Sequence, residues 1–347
     1  MKILVTGANG HIGAHVVRQL LDEGHAVRAF VRPRADVRAL EGLDLEYARG
    51  DVMDAEAVHQ AAEGCDAIIH LAAVYKTIAE TAEEIVEPAV RGAENVFRAA
   101  HAHGIGRVVY TSSVASIGFS WSPDELRTAD DWNTDAKNPY YLAKTLSEQK
   151  AQALAQELGI HLVVICPAIV IGPLDYRITP SNQLVKDWLN GKGQTYPGGL
   201  NLVDVEDVAR AHVNALTRGE SGRRYIVGSD NLPVKEIGRI LERLTGIRPL
   251  HLPFGRSTML FTARVTETLC RIIGMTPPFT YDLVYEVAGR YAYYDISETC
   301  KVLEIRPRPS EQALARAVRW LAEQGHLKPS VARRVSEMLA STPHLST

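Results

Sequence analysis

The stretch Ile3-Leu4-Val5-Thr6-Gly7-Ala8-Asn9-Gly10-His11-Ile12-Gly13 sets three glycines between a short apolar run and an amphipathic segment. Gly7 permits a tight turn, Gly10 lets backbone N–H groups approach an anion, and Gly13 allows close packing of helix on strand. The helix N-terminus adds unpaired N–H donors and the positive end of its dipole. The stretch therefore predicts a strand, a turn and a helix that bind the pyrophosphate of a dinucleotide.

The N-terminal half alternates short apolar runs with amphipathic stretches, which is typical of parallel strands joined by crossover helices. The predicted strands are Ile3 to Val5, Ala26 to Val31, Ala67 to Leu71, Arg107 to Tyr110 and Leu162 to Cys166. The predicted helices are roughly Gly13 to Glu23, Ala55 to Ala62, Ala82 to His103 and Tyr141 to Leu158. This pattern predicts an α/β fold with a doubly wound parallel sheet of Rossmann type.

Glycines and prolines break this rhythm after Gly172-Pro173, and we interpret the break as an excursion into a second lobe. A helix from Asp204 to Leu216 and a strand from Tyr225 to Gly228 are expected to rejoin the sheet. Residues 1–171 and about 203–229 should form the dinucleotide-binding domain. Residues of about 172–202 and 230–340 should form a smaller, mainly helical substrate lobe.

The composition favours a small-molecule partner. The net charge of the 347 residues is −3 with both signs interspersed, so no chain-wide field gathers nucleic acid or an anionic membrane surface. The chain starts on a predicted strand instead of a signal peptide, and no apolar run is long enough to span a bilayer. Four scattered cysteines have no metal-binding spacing, so we expect a cytoplasmic protein with reduced thiols and no metal.

The residues after the second strand bear on the choice between NAD and NADP. A carboxylate there would accept from the ribose 2′-OH and repel a 2′-phosphate, whereas arginines bind phosphate. Val31 ends the strand without an acid, and Arg32 and Arg34 follow it. NADP(H) is therefore predicted over NAD(H). Asp51-Val52 stands where an adenine edge would be recognised, although a plain turn after a strand would look the same.

Hydroxyl groups follow the predicted strand Arg107 to Tyr110, at the sheet edge where open α/β folds bind ligands. They belong to Thr111-Ser112-Ser113. Downstream, Tyr140 and Lys144 stand four residues apart, which places them on one face of a helix. Singly, the serine could be a turn cap and the pair could be ordinary helix surface.

With these residues the chain resembles the extended short-chain dehydrogenase/reductase superfamily over about its first 230 residues. The resemblance rests on five motifs in order: Gly7-x-x-Gly10-x-x-Gly13, Asp51-Val52, His70-Leu71-Ala72-Ala73, Thr111-Ser112-Ser113 and Tyr140-x-x-x-Lys144. It implies an NAD(P)-dependent oxidoreductase that moves a hydride between nicotinamide and a carbonyl or alcohol.

The resemblance also implies individual roles. Tyr140 would be the general acid/base, Lys144 would lower its pKa and hold the nicotinamide ribose, and Ser113 would orient the carbonyl oxygen. Tyr141 is a rival for the tyrosine role, but it is only three residues from Lys144. The implied cofactor contacts are Gly7, Asn9, Gly10, His11, Ile12, Gly13, Arg32, Arg34, Asp51, Val52, Leu71, Ala72, Ala73, Tyr140, Lys144, Pro167, Ala168, Ile169 and Val170. The candidate substrate contacts are Tyr75, Ser113, Phe119 and Tyr140, although Tyr75 and Phe119 could equally be core aromatics.

Within the superfamily the chain departs from sugar-nucleotide epimerases. Ile169 replaces the asparagine that would bind a sugar diphosphate, and Ile117 and Ile171 replace two tyrosines, which implies an apolar pocket. Four segments resemble instead the dihydroflavonol 4-reductase and cinnamoyl-CoA reductase group: Val27 to Arg32, Asp130-Asp131-Trp132, Tyr140 to Glu148 and Pro167 to Pro173. Residues 199–209 also resemble bacterial proteins labelled hopanoid-associated sugar epimerases.

We therefore predict an NADPH-dependent reductase of a small ketone or aldehyde. The alternatives are an NDP-sugar epimerase or dehydratase with tightly bound NAD, and a non-catalytic NADP(H)-sensing regulator, against which the Tyr140 and Lys144 pair argues. The resemblance further implies a homodimer, because related enzymes pair the two long helices Ala82 to His103 and Tyr141 to Leu158 as a four-helix bundle.

Overall fold

The computed structural model describes residues 1–72 and 83–340 and is built on a seven-stranded parallel sheet. In chain order the strands are β1 (Lys2–Thr6), β2 (Ala26–Val31), β3 (Glu46–Arg49), β4 (Ala67–His70), β5 (Arg107–Thr111), β6 (His161–Pro167), β7 (Ile169–Ile171), β8 (Gln194–Thr195), β9 (Gly199–Asp204), β10 (Arg224–Val227), β11 (Asn231–Pro233) and β12 (Leu250–His251). The large sheet has the order β10-β6-β5-β4-β1-β2-β3, with every neighbouring pair parallel. The predicted doubly wound Rossmann-type sheet is confirmed.

Helices connect and cover the strands. In chain order they are α1 (His11–Asp22), α2 (Ala55–Ala62), α3 (Glu83–Ala102), α4 (Pro139–Leu158), α5 (Pro180–Leu189), α6 (Val205–Asn214), α7 (Val234–Thr245), α8 (Arg256–Ile272), α9 (Tyr281–Val287), α10 (Ser297–Val302), α11 (Ser310–Glu323) and α12 (Pro329–Ala340). Helix α1 packs against α6, whereas α2 and α4 pack against α3. Strands covered in this way are buried and apolar, as the sequence indicates for β1, β4, β5 and β6.

The chain after Gly172 forms more sheet than the sequence predicted. Strand β9 pairs with β7 in parallel and with β11 antiparallel, and the short strands β8 and β12 pair with each other. The C-terminal part is otherwise helical, as predicted. One hydrophobic cluster runs from Ile3 to Leu339 through both predicted parts of the chain, and a small separate cluster joins α8 to α9.

The parallel sheet brings the predicted site segments to one edge. The strand order changes direction between β1 and β4, which is where ligands bind in open α/β sheets. At the end of β1, Thr6 accepts a hydrogen bond at its main-chain oxygen from Leu71 N, at 3.1 Å. Its Oγ1 lies 2.7 Å from His70 Nδ1. Among the residues 1–72 and 83–340, no helix combines the length and the apolar character needed to cross a bilayer.

Candidate active site

The glycine turn after β1 has the geometry of an anion cradle. Gly7 has a φ of +70°, and a Cβ on it would lie 2.9 Å from Ala72 N. A Cβ on Gly13 would lie 2.3 Å from the main-chain oxygen of Gly7. Helix α1 begins at His11, with Gly10 as the N-cap, so the cap residue has no side chain to occupy the N–H groups of the first turn. These residues fit a dinucleotide pyrophosphate, because side chains at the glycine positions would fill the space or displace the backbone.

The loop after β2 lies beside this turn. Asn9 Nδ2 donates to the main-chain oxygen of Asp36 at 2.8 Å, which fixes the loop against the glycines. Arg32 and Arg34 are exposed, and within the described residues neither forms an ion pair. Asp36, the first acid after the two arginines, is paired with Arg38 at 2.7 Å, and that bond lowers the carboxyl pKa to about 2. The two arginines therefore present unneutralised charge beside the cradle.

The other predicted cofactor contacts divide into three groups. Asp51 accepts from Met53 N at 3.0 Å in the turn that follows β3, and Val52 O accepts from Asn95 Nδ2 at 2.8 Å. The residues from Pro167 to Val170 carry the chain from β6 into β7 at the carboxyl edge of the large sheet. The third is Ala73, which lies outside the described residues, as do the candidate substrate contact Tyr75 and Ala82 at the predicted start of α3.

Ser113 lies two residues after the end of β5 and caps a short 3-10 turn. Its Oγ accepts from Ala115 N at 3.1 Å, so Ser113 is a turn cap. The same hydroxyl is the one expected to bind the substrate oxygen, so the two roles must be compatible. They are compatible, because capping uses a lone pair of the hydroxyl and leaves its O–H able to donate to a carbonyl oxygen. The cap also fixes the direction of the side chain.

Tyr140 and Lys144 line one cavity at the start of α4. Asn138 is the N-cap of this helix, and its side chain accepts from Tyr140 N at 3.0 Å. The residues that line the cavity come from α3, α4, β5 and the end of β4: Ala72, Ala89, Tyr110, Tyr140, Ala143, Lys144 and Ser147. Ala72 is also the residue packed against Gly7, so the cavity opens beside the phosphate cradle.

Lys144 is a buried cation with few surrounding charges. Its Nζ donates to Thr111 O at 3.1 Å, which ties the helix to the end of β5. Burial lowers the pKa of Lys144 to about 8, with Cys166 and Glu148 opposing the shift. The side chain is therefore mostly protonated near neutral pH. Burial, and to a smaller extent the charge of Lys144, lowers the pKa of His70 to about 3, which keeps that imidazole neutral.

Three other aromatic residues lie near Tyr140, and one of them packs directly on its ring. Tyr141 meets its ring edge to face at 5.8 Å, and Phe119 meets Tyr141 in the same way at 5.7 Å. Phe119 belongs to the main hydrophobic cluster, where it supports the tyrosine pair. Tyr110 lines the cavity as well, but burial raises its pKa, so it stays a neutral phenol.

A buried ion pair, which the sequence reasoning missed, supports α4 and the segment that follows β5. Arg224 Nε lies 2.5 Å from Glu148 Oε1, and both side chains are at most 5% exposed. Glu148 Oε2 accepts from the hydroxyls of Ser112 and Ser116, so one carboxylate connects α4 to the segment around Ser113. The Arg224 guanidinium also lies 3.9 Å from the ring of Trp132. The available signal was the continued spacing of four from Tyr140 through Lys144 to Glu148.

Arg177 is a second residue that the sequence reasoning missed. Its Nη2 lies 3.5 Å from the position of a Cβ on Gly10, so the guanidinium overhangs the phosphate cradle. Two non-glycine residues of its loop, Leu174 and Ile178, have φ values of 62° and 45°. Such strain is held only by firm surroundings and is concentrated at ligand-binding sites. No sequence motif marks this arginine.

The same loop is fixed by a buried acid. Asp175 Oδ2 accepts from Thr179 N at 2.7 Å and from Asn182 Nδ2 at 3.0 Å. His11, the first residue of α1, has its Nδ1 4.0 Å from Asp175 Oδ2, while its buried Nε2 has no hydrogen-bond partner within the described residues. Burial lowers the pKa of His11, so the ring is neutral. Asp175, His11 and Arg177 line one cavity beside Asn9.

Comparison with known proteins identifies the family. Residues 3–228 match the model of the NAD dependent epimerase/dehydratase family. The chain belongs to that family. It is 34% identical over 338 residues to a Synechocystis sp. protein named "Putative dihydroflavonol 4-reductase", covering 93% of this chain and 95% of that one. It is 34% identical to cinnamoyl-CoA reductase 1 of Arabidopsis thaliana, covering 94% and 91% of the two chains.

A solved structure, that of gox2253, shares the whole fold. Its TM-score is 0.83 at 30% identity, and the match covers 94% of this chain and 99% of that one. The predicted superfamily and its dihydroflavonol 4-reductase and cinnamoyl-CoA reductase group are confirmed. This epimerase/dehydratase family member is therefore an NAD(P)-dependent oxidoreductase of reductase type, and its family binds a nicotinamide cofactor.

Proposed function

We propose that the protein is an NADPH-dependent reductase of small ketones or aldehydes with an apolar body. The observation that carries this proposal is the shared cavity of Tyr140 and Lys144, which opens beside the glycine cradle through Ala72. Ser113 follows the strand that holds Lys144 through Thr111 O. A phenol, a cation and a hydroxyl near the ligand-binding edge of the sheet support this reaction.

The chemistry follows from what each side chain can do. Bound nicotinamide supplies the hydride to a carbonyl carbon, or takes it from the alcohol in reverse. Tyr140 gives its phenolic proton to the oxygen that becomes the hydroxyl. The Lys144 ammonium stabilises the phenolate left behind, because the two groups line one cavity and the burial of Lys144 strengthens their electrostatic attraction. Ser113 donates its O–H to the carbonyl oxygen and orients it.

Oxidation of NADPH and NADH against a panel of aldehydes, ketones and nucleotide sugars tests the function. We expect NADPH consumption with carbonyl compounds that carry an aromatic or other apolar body. If instead no carbonyl compound consumes cofactor, and the purified protein retains NAD and interconverts nucleotide sugars, the epimerase alternative is correct. Retained cofactor with no turnover of any kind would favour the NADP(H)-sensing alternative.

Arg32 should determine the cofactor preference. It follows β2 and has no acidic partner among residues 1–72 and 83–340, so the Arg32→Ala change should weaken NADPH binding by roughly 1–3 kcal/mol. NADH binding should barely change, because NADH lacks the 2′-phosphate. Titration of nicotinamide fluorescence measures both affinities. Equal affinity of the native protein for the two cofactors would contradict the NADPH assignment.

Arg177 should act on a part of the cofactor that NADPH and NADH share. Because its guanidinium overhangs Gly10, we infer that it contacts the pyrophosphate. Arg177→Ala should weaken NADPH and NADH alike, by roughly 1–3 kcal/mol. The same titration distinguishes this result from the selective loss expected for Arg32→Ala. An unchanged affinity for both cofactors would refute the assignment.

We infer a homodimer that forms through α3 and α4. These helices lie side by side, with Lys150 Nζ 3.8 Å from Glu94 Oε1, and α4 exposes Leu146 on its surface. Light scattering at micromolar concentration should give twice the mass of the 38.1 kDa chain. The Leu146→Glu change should shift the mass toward the monomer. A monomeric native protein would contradict the inference.

A further inference from the structure

Helix α8 carries a large apolar surface that the fold leaves uncovered. Thirteen large hydrophobic side chains are exposed among the described residues, and eight of them lie between positions 250 and 275. Phe261, Val265, Leu269 and Ile272 follow one another at helical spacing, so they share one face of the helix. Phe261 is 71% exposed and Ile272 is 74% exposed. We call these four residues the α8 face. A contiguous apolar patch of this kind marks an interaction site.

The opposite side of α8 packs on the rest of the protein. The helix is therefore anchored, and its exposed side is not the side that packs against the fold. Ala263 packs with Val284 and Ala288 in the small separate cluster. Glu267 Oε2 accepts from Tyr281 N at 2.9 Å. Arg256 Nη1, at the start of the helix, donates to Ala288 O at 2.7 Å. The α8 face is therefore the outward side of a well-anchored helix.

The charge around the α8 face is positive. Positions 247 to 282 contain four arginines against two acids, Glu267 and Asp282, although the whole chain has a net charge of −3. That glutamate, Glu267, is 9% exposed and already bonds Arg271 at 2.8 Å. Arg264 is exposed and lies 4.0 Å from the ring of Tyr281. The chain-wide charge thus conceals a local cationic and apolar surface.

This combination favours one occupant. A helix with an apolar face flanked by arginines lies in the interface of a bilayer, where anionic headgroups complement the cations. A second copy of the chain is less suitable, because face-to-face packing would bring Arg264 and Arg271 of both copies together. Glu267 is already bonded to Arg271, so of the acids at positions 247 to 282 only Asp282 would be left to offset them. We propose that the α8 face docks the protein on an anionic membrane surface.

Docking would place the cavity of Tyr140 and Lys144 near that membrane surface. Arg256 lies 4.6 Å from the ring of Trp121, which is 53% exposed. Helix α9, on which α8 packs, reaches the catalytic segment through Glu286, whose Oε1 accepts from Lys137 N and Asn138 N at 2.7 and 3.1 Å. The membrane proposal does not depend on the proposed reaction, since docking needs no turnover.

Cosedimentation of the full chain with vesicles tests the proposal. We expect binding to phosphatidylcholine vesicles that contain phosphatidylglycerol, weaker binding without it, and weaker binding at high salt. The double change Phe261→Ser and Ile272→Ser should lower the partition coefficient at least about tenfold. Arg264→Gln with Arg271→Gln should remove the preference for phosphatidylglycerol. Tyr47→Ser, an exposed aromatic on the distant edge strand β3, is the matched control and should bind normally.

Three results would overturn the proposal. One is no binding to either kind of vesicle, and another is binding that the α8 changes leave intact. The third is a dimer mass that the α8 changes abolish while vesicles are not bound, which would assign the face to a second copy of the chain. Thermal melts should show that the variants stay folded, because all the changed side chains are exposed.

Discussion

The Tyr140→Phe variant should lose about a hundredfold or more in kcat while it binds NADPH nearly as well as the native protein. The change removes only the phenolic hydroxyl. It keeps the ring that packs against Tyr141 at 5.8 Å and the N-cap bond that the main-chain N–H of residue 140 donates to Asn138, so the fold should be unaffected. Steady-state kinetics on a substrate found in the panel measures the effect.

Tyr141→Phe is the matched control for this result. It removes a neighbouring hydroxyl from the same helix turn and leaves the proposed proton donor in place. We expect near-native turnover. If the outcomes are reversed, Tyr141 is the acid, and if both variants retain full turnover, the proton comes from another group.

Lys144→Met should cost as much activity as Tyr140→Phe, and it should also stabilise the protein without cofactor. The burial that lowers the pKa of Lys144 from 10.5 to about 8 makes its protonated form unfavourable in the folded state. A shift of that size corresponds to at most about 3 kcal/mol. The lost bond to Thr111 O offsets part of the gain, so the free energy of unfolding near neutral pH should rise by about 1–2 kcal/mol.

The pH dependence of this effect has a definite sign. Because the folded pKa lies below the unfolded one, the native protein should gain stability relative to Lys144→Met as the pH rises from about 8 toward 10.5. Urea unfolding at neutral and alkaline pH measures the difference. Lys150→Met, on the exposed side of the same helix, should change stability by no more than about 0.5 kcal/mol. If the Lys144→Met variant is instead less stable than the native protein, the buried ammonium of Lys144 stabilises the folded state.

The sequence predicted those parts of the fold that local chemistry determines. The three glycines predicted the cradle because each answers a separate steric demand, and the structure shows contacts under 3 Å for a Cβ at Gly7 and at Gly13. The spacing of four predicted that Tyr140 and Lys144 share a face. The start of α4 was placed two residues late, although Asn138 followed by Pro139 is a typical N-cap and first helical residue.

The remaining features depend on long-range contacts. Strand β7 has only three residues and pairs with β9 more than thirty positions away, so no local pattern marks it. Arg177 reaches the cradle only because Leu174 and Ile178 adopt left-handed backbone conformations in a loop anchored by Asp175. Helix α8 has ordinary amphipathic periodicity, and only the structure shows that its most apolar residues face outward.

Transfer of deuterium from labelled NADPH tests the central claim most directly. The protein is incubated with NADPH that carries deuterium at both hydrogen positions of the hydride-donating carbon, and with a carbonyl compound that consumed cofactor in the panel. Mass spectrometry and NMR then locate the label. The account predicts one deuterium on the new carbinol carbon of the product, with the rate falling about a hundredfold or more in Tyr140→Phe. An unlabelled product, or NADPH left intact while a nucleotide sugar is inverted at one carbon, would contradict it.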